Sequence, residues 1–435
     1  MSYETIPLGN LATFESGGTP KKSNQSFWKG DIPWISAKTL VGDRVVASDL
    51  SITDEGLESG SRIAPSGSIL ILTRGSGLFK RIPIAIAGRD VAFNQDVKCV
   101  QSKREDIDNK YLFYALKAFE PEITAMLETT GIGAGKLSTD RLKALTIPIL
   151  DSESREKVVS VADALSGKIE LNNLLNGYLE ELADTLFKQR FGDLTDNAAL
   201  SDAVDITMGQ SPSGSSYNED GVGTVFYQGR AEFGWRYPSR RFSTTEPKRM
   251  AKQNDVLMSV RAPVGDLNLA YEDCCIGRGL AAIHCECPSY GFYLMRSLRS
   301  KLDAFNGEGT VFGSINGKTL KSLPIAMPKV EEIKAFEDEA SFIDAQIRNN
   351  ETESRLLAIL RDALLPKLMS GEIDVSKVDL TQLNSHLEGH WFRSPPHWVC
   401  GTRRKEQRGN RHQCRTRRNA SHPQTVPAQA SSRYA

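Results

Sequence analysis

The sequence predicts an α/β (α+β) chain in which two globular units are separated by two long antiparallel helices, the halves being internal repeats. Three observations carry that prediction. Residues 153–191 contain no proline and only two glycines. Within them Val158, Val161, Leu165, Ile169, Leu175, Leu179, Leu182 and Leu186 recur largely at spacings of three and four, which keeps one apolar stripe on one helical face. At 1.5 Å per residue the stretch is a rod of roughly 58 Å, far longer than an average globular helix. Second, residues 331–369 repeat the pattern at a shift of 178 positions: Ile169 falls on Ile347, Asn172 on Asn350, Leu179 on Leu357 and Leu182 on Leu360. Neither rod can bury its stripe alone, so each is expected to bury it against the other. Third, the segments that precede the two rods match one another motif by motif.

In the first unit, to about residue 150, a short apolar segment from Ile6 to Phe14 leads into the turn Ser16-Gly17-Gly18-Thr19-Pro20 and the basic pair Lys21, Lys22. Gly30 to Ser36 reads as a turn feeding a strand. Ile69–Thr73 and Pro83–Ala87 read as strands joined through Arg74-Gly75-Ser76-Gly77. Helices are expected over 109–116 and 120–127, then a glycine loop over 131–136. The second unit, about 193–329, retraces these steps. Gly209-Gln210-Ser211-Pro212 answers Gly17-Gly18-Thr19-Pro20, Asp255–Met258 with Arg261 answers Ser68–Ile71 with Arg74, Tyr290–Tyr293 answers Tyr111–Tyr114, and 309–313 answers 131–135. The frame is shared and the loops diverge, as expected of two readers of different targets.

Charge is balanced, 54 basic against 54 acidic residues, but not evenly spread. The last 55 residues, from Thr381, hold ten Lys and Arg against two acids, leaving 44 basic and 52 acidic residues before them. Any anion-binding face on that body therefore has to come from local clusters. The N-terminus shows no signal peptide, and the longest apolar runs are of buried-strand length, which predicts no membrane span. Seven scattered cysteines fit a reducing cytoplasm.

PLGNLATFESGGTP and GDIPWIS in the first half, with GQSPSGSSYN, YQGRAEFGWRYP, DVLMSVRAPVGDLNLA and IGRGLAAI in the second, resemble the DNA-specificity subunit of type I restriction-modification enzymes. The likeness runs over roughly residues 1–380, and MSGEI after the second rod resembles that family's usual ending. It implies target-recognition domains at 1–150 and 193–329 and conserved spacer helices at 151–192 and 330–372. The atypical basic tail at 373–435 has no place in that likeness from Thr381 onward; its composition suits a disordered basic arm and equally a read-through in a shifted frame. The likeness also implies a non-catalytic subunit that reads a split, asymmetric site on double-stranded DNA. Two methyltransferase subunits and, in a full enzyme, ATP-driven restriction subunits are the implied partners. S-adenosylmethionine, ATP and Mg²⁺ would belong to those partners and none to this chain. Two other readings stay open at this point: an inactive or regulatory remnant, kept alive by the odd tail, and an enzyme with its own DNA-modifying centre.

A DNA reader needs cations for phosphates and planar donors for base edges. The densest candidate is Trp235-Arg236-Tyr237-Pro238-Ser239-Arg240-Arg241-Phe242, continued by Lys248, Arg249 and Lys252, with Arg230 just before it. In the first unit Lys21, Lys22, Arg44, Arg74, Lys80 and Arg81 are more dispersed. Arg74 and Arg261 sit at equivalent strand ends and fit either phosphate contact or a structural ion pair. Arg278, between two glycines, corresponds to Gln95; both residue types read bases and both also buttress loops.

Signals of catalysis are thin. The 131–136 loop ends in Gly-Lys like a phosphate loop but is followed by Leu137 instead of Ser or Thr. Ser394-Pro395-Pro396-His397 lies in the tail without a strand–helix framework, and Cys274, Cys275, His284, Cys285 and Cys287 lack metal-ligand spacing. Asn172 and Asn350 stand at the midpoints of the two rods. They are therefore expected to face each other and to fix the register of the helix pair.

Overall fold

A computed structural model describes residues 3–131, 133–307 and 313–377. The basic tail from 378 onward, with its Ser394–His397 run, and positions 309–312 of the second glycine loop lie outside the described residues. Residues 373–377, grouped with the tail by sequence, instead hold a short 3₁₀ turn, Val375–Lys377, with Val375 buried.

In the first lobe, strands Glu4–Pro7 and Thr146–Ile149 pair antiparallel and tie off its base. The expected apolar segment Ile6–Phe14 resolves into that first strand, a single helical turn Leu8–Leu11, and a strand Ala12–Ser16. The latter edges a five-stranded sheet in the order Ala12–Ser16, Val97–Ser102, Ile69–Leu72, Ile84–Ala87, Arg44–Val45. The central Ile69–Leu72 is buried on both faces, which explains its unbroken apolar run. A second sheet contains the parallel pair Trp28–Ile35 and Val91–Phe93. Helix Asn109–Ala118 is followed by Glu120–Ala125, which stops short of the expected end at Leu127; that residue opens a strand, Leu127–Thr129, paired with Gly135–Leu137.

The second lobe repeats the plan. Ala198–Ala199 and Pro324–Ile325 tie off the base, Asp205–Met208, Leu280–His284, Val256–Ser259 and Leu267–Leu269 form a sheet, and Thr224–Tyr227 runs parallel to Cys274–Ile276.

The two rods are helices of 40 residues each, Ser152–Phe191 and Val330–Met369, about 60 Å long. The first starts where the Asp151 carboxylate accepts the Ser154 N–H (2.9 Å). The second starts where the Glu332 carboxylate accepts the Lys329 N–H (3.1 Å). They run antiparallel: Arg190 meets Glu339 (2.6 Å) and Lys168 meets Glu353 (3.2 Å).

The seam between them differs from the expected leucine stripe. Leu182 and Leu360 are exposed, while the buried positions are Val158, Val161, Leu165, Asn172, Asn176, Ala183 and Phe187 on one helix and Phe336, Ala340, Ile347, Asn350, Ser354 and Leu365 on the other. A straight helix drifts by about 20° per heptad, so over 40 residues the buried line crosses from one set of positions to another. At the centre, where two backbones approach, small and polar residues replace leucine.

The expected amide pair is also rearranged. Asn172 Nδ2 donates to the Asn350 carbonyl (3.4 Å), to Ser354 Oγ (3.3 Å) and to Glu353 Oε2 (2.8 Å), whereas Asn350 Nδ2 donates to Asn176 Oδ1 (2.9 Å). Asn172 thus meets Asn350 at its backbone, as expected of facing midpoints, while each side-chain amide also reaches the residue one turn beyond its counterpart. At the C-terminal end of the second helix the chain returns to its first described residue: a side chain at Gly371 would run into the ring of Tyr3.

Candidate nucleic-acid interface

Each lobe meets the helix pair at one end and presents a tip formed where its parallel strand pair gives way to loops. The two tips are built alike, bond for bond. Asn94 N–H donates to the Ile35 carbonyl (2.9 Å) as Gly277 N–H donates to that of Tyr227 (2.8 Å). Thr73 N–H donates to Asp96 (2.7 Å) as Val260 N–H donates to Gly279 (3.0 Å), and Gly18 N–H to Phe93 (2.9 Å) as Gln210 N–H to Ile276 (3.0 Å). Gly17 and Gly209 permit the close approach: a Cβ would stand 2.0 Å from the Phe93 oxygen in one lobe and 2.1 Å from the Gly277 oxygen in the other.

These anchors bring Thr19, Arg74 and Gln95 together in the first lobe and Ser211, Arg261 and Arg278 in the second. Thr19 Oγ1 donates to Gln95 Oε1 (2.6 Å), and the Arg278 N–H reaches Ser211 Oγ (3.4 Å). Arg74, Gln95, Arg261 and Arg278 are all exposed. In the second lobe Arg230, Arg261 and Arg278 line one cleft with Gln228 and Glu232. Burial raises the Glu232 carboxyl above its ordinary range, and its Oε2 has no hydrogen-bond partner among the described residues. Arg230 is held by Asp266 (2.6 Å).

The first lobe adds cations that the sequence did not single out. Lys98 lies close to Lys143 and Arg74, and its ammonium is held below the usual lysine range, first by burial and then by those two charges. It donates to Ser16 Oγ. In the second lobe the strand register places Ala281 and Met208 where Lys98 and Ser16 pair in the first. Lys21 and Lys22 are exposed beside the Pro20 turn and form no ion pair among the described residues.

The aromatic–arginine run, expected as one cluster, divides: Arg240 and Arg241 are exposed, whereas Arg236 turns inward. Arg236 is a buried residue, its side chain 0% exposed. Its guanidinium meets Glu180 on the first long helix (3.1 Å) and Asp344 on the second, and lies 4.1 Å over the Phe292 ring. Burial works against its charge, but Asp344 and the neighbouring tyrosines outweigh it, so the group is held above its usual range. The physical reason is one of pairing: flat rings and a guanidinium pack as well against an acidic helix seam as against bases. Arg240 is occupied by both oxygens of Glu272, and Arg241 lies near Glu219 (3.6 Å) over the Phe242 ring (4.6 Å). Arg44 approaches Glu170 on the first long helix (3.8 Å), away from the tip. Among the described residues no group of three or more His, Cys, Asp or Glu is placed to hold a metal ion, and no helix is long and apolar enough to cross a membrane.

Known proteins share this plan. A family model described as the type I restriction modification DNA specificity domain matches residues 2–181. The putative type I restriction enzyme MjaX specificity subunit of Methanocaldococcus jannaschii is 31% identical over 301 residues, covering 63% of this chain and 71% of that protein. The EcoR124I/EcoR124II specificity subunit of Escherichia coli is 32% identical over 158 residues, 36% of this chain and 39% of that one. In fold, the solved S subunit of a type I restriction-modification system from M. genitalium superposes with a TM-score of 0.50 over 85% of this chain and 96% of that chain, at 14% identity.

Proposed function

Because the chain belongs to the DNA-specificity subunits of type I restriction-modification enzymes, we propose that it reads a split, asymmetric site on double-stranded DNA, one half with each lobe, and performs no chemistry itself. The observation that carries this reading is the pair of equivalent tips whose frames coincide and whose exposed residues differ. A shared frame with unlike side chains recognises unlike sequences in the same manner.

Catalysis, with S-adenosylmethionine, ATP and Mg²⁺, then lies in partner subunits that act with this chain on DNA in the cytoplasm. The long helices favour two copies of one methyltransferase partner. Tyr178 and Leu182 on the first helix and Leu356 and Leu360 on the second are exposed and stand 178 positions apart, so the same apolar patch is presented twice. Restriction subunits would join the resulting complex.

The test is a domain exchange. Replacing residues 1–150 with the first lobe of another member, and mapping methylated bases in host DNA, is expected to change one half of the recognised site and leave the other. A change in both halves, or in neither, overturns the reading.

A further inference from the structure

We propose that Gln95 and Arg278 are the base-reading positions of the two lobes, Gln95 selecting an adenine in the half-site of the first lobe and Arg278 a guanine in that of the second. The proposal rests on the reading of one half-site per lobe, and adds which residue reads and what it reads.

The comparison of the tips separates two kinds of contact. Arg74 and Arg261 occupy the same place in both lobes, each just beyond the residue that follows a central strand and whose N–H anchors the tip, Thr73 or Val260. A group that two readers of different sequences share suits the part of DNA that never varies, the phosphate backbone. Four residues from the start of each tip strand the lobes part: Gln95 in one, Arg278 in the other, each held between two anchored backbone bonds. A position that is fixed in space, exposed and divergent in chemistry is where sequence is read.

The chemistry of each side chain names its base. A glutamine amide offers one acceptor and one donor, which match N6–H and N7 on the major-groove edge of adenine. Thr19 Oγ1 donates to Gln95 Oε1 at 2.6 Å. That bond fixes the rotation of the amide and leaves the second lone pair of Oε1 and the Nε2 hydrogens for a ligand. An arginine offers two parallel donors, which match guanine O6 and N7. Arg230, Arg236, Arg240 and Arg241 each meet a carboxylate. The Arg278 side chain makes no hydrogen bond or ion pair among the described residues, so its donors stand open. Its loop is nonetheless pinned: a Cβ at Gly277 or at Gly279 would lie 2.8 Å from backbone atoms of Gln228.

The experiment selects bound duplexes from a randomised DNA pool with the full-length chain, comparing wild type, Gln95→Ala, Gln95→Arg and Arg278→Gln. Wild type is expected to enrich a two-part site, with an adenine in one half and a guanine in the other whose replacement weakens binding about ten- to a hundredfold. Gln95→Ala is expected to lose discrimination at that adenine alone, Gln95→Arg to exchange it for guanine, and Arg278→Gln to exchange the guanine of the other half for adenine. Variants that keep the wild-type preference at every position overturn the assignment while the two-lobe reading stands. A Gln95→Ala protein that melts like wild type yet loses both half-sites overturns it too, since the residue would then act on the frame. A wild type that enriches no sequence overturns the two-lobe reading and the assignment with it.

Discussion

In the second lobe the loop after Gly229 sends a cation, Arg236, between the long helices, where Glu180 and Asp344 receive it and the hydroxyl of Tyr293 donates to the same Asp344 (3.0 Å). In the first lobe the corresponding loop sends an anion, Asp43, which meets Arg361 of the second long helix and Lys117 (2.7 Å), while the hydroxyl of Tyr114 donates to Asp163 (2.6 Å). The hydroxyl at the seat is retained and the charge is reversed. The helix positions change to match: 178 positions from Asp344 stands Ser166, from Glu180 stands Ala358, and from Arg361 stands Ala183. A lobe placed on the other's seat would therefore bring Arg236 towards Arg361, or Asp43 towards Glu180 and Asp344. A repeat protein has two nearly identical seats for two nearly identical lobes, and opposite charges remove the ambiguity. The seats differ in depth as well. Phe187, Phe191, Tyr290, Tyr293 and Phe336 cluster beneath the second lobe with centroids 5.1 to 5.9 Å apart, edge to face except for the tilted pair Phe187–Tyr290. No such cluster lies under Asp43 among the described residues.

This contrast can be broken from its strongest point downward. Arg236→Ala takes the guanidinium from the Asp344 carboxylate and leaves Glu180 with Arg296 alone (3.1 Å), and we expect a loss of about 3–5 kcal/mol in the stability of the second lobe, read from its denaturation midpoint. Asp43→Ala takes the carboxylate from Lys117 and leaves Arg361 with Asp362 (2.9 Å), in a site that water reaches, so the expected loss is smaller, about 1–3 kcal/mol, and confined to the first lobe. If the two substitutions cost the same, burial does not distinguish the seats.

The centre of the helix pair offers a finer version of the same contrast. Asn350 gives Nδ2 to Asn176 and receives Gln346 Nε2 at Oδ1 (2.8 Å), whereas the buried Oδ1 of Asn172 has no partner among the described residues. Asn350→Ala is therefore expected to cost about 1–2 kcal/mol and Asn172→Ala about half of that or less, as thermal or chemical denaturation will show. Equal costs would mean that the two amides act as one unit. Smallest of all, Arg74→Ala and Arg261→Ala are each expected to lower the slope of log affinity against log salt by about one and to leave the preferred sequence unchanged. A shift in preferred bases would move these arginines from the backbone to the readout.

How much of this was legible in the sequence follows from how far each signal travels along the chain. The helices and their antiparallel pairing rest on periodicity and a shift of 178 positions, and the twinned lobes on short motifs that recur in the same order, which local pattern carries well. The correspondence of Arg74 with Arg261 and of Gln95 with Arg278 follows from those recurring motifs. Arg236 was misread because its carboxylates stand 56 and 108 residues away, beyond the reach of any neighbouring motif. Leu182 and Leu360 were misplaced because a stripe drawn with one period ignores the drift of a long straight helix. Lys98 passed unnoticed because a single lysine in a strand declares nothing until Arg74 and Lys143, 24 and 45 positions off, are seen beside it.

The contact of Tyr3 with Gly371 has a consequence for ancestry. With residue 3 lying against residue 371, and with each lobe knotted at its base by its own first and last strands, the order of the parts is circular. Lobe follows helix and helix follows lobe around the circuit of residues 3–371, so the same parts joined between 371 and 3 and opened at residue 193 would keep their order. Which half of a target counts as first is then an accident of where reading starts. The repeated helices supply matching stretches at which one lobe can be exchanged for a stranger's, and new specificities can arise by shuffling halves whose junctions already fit.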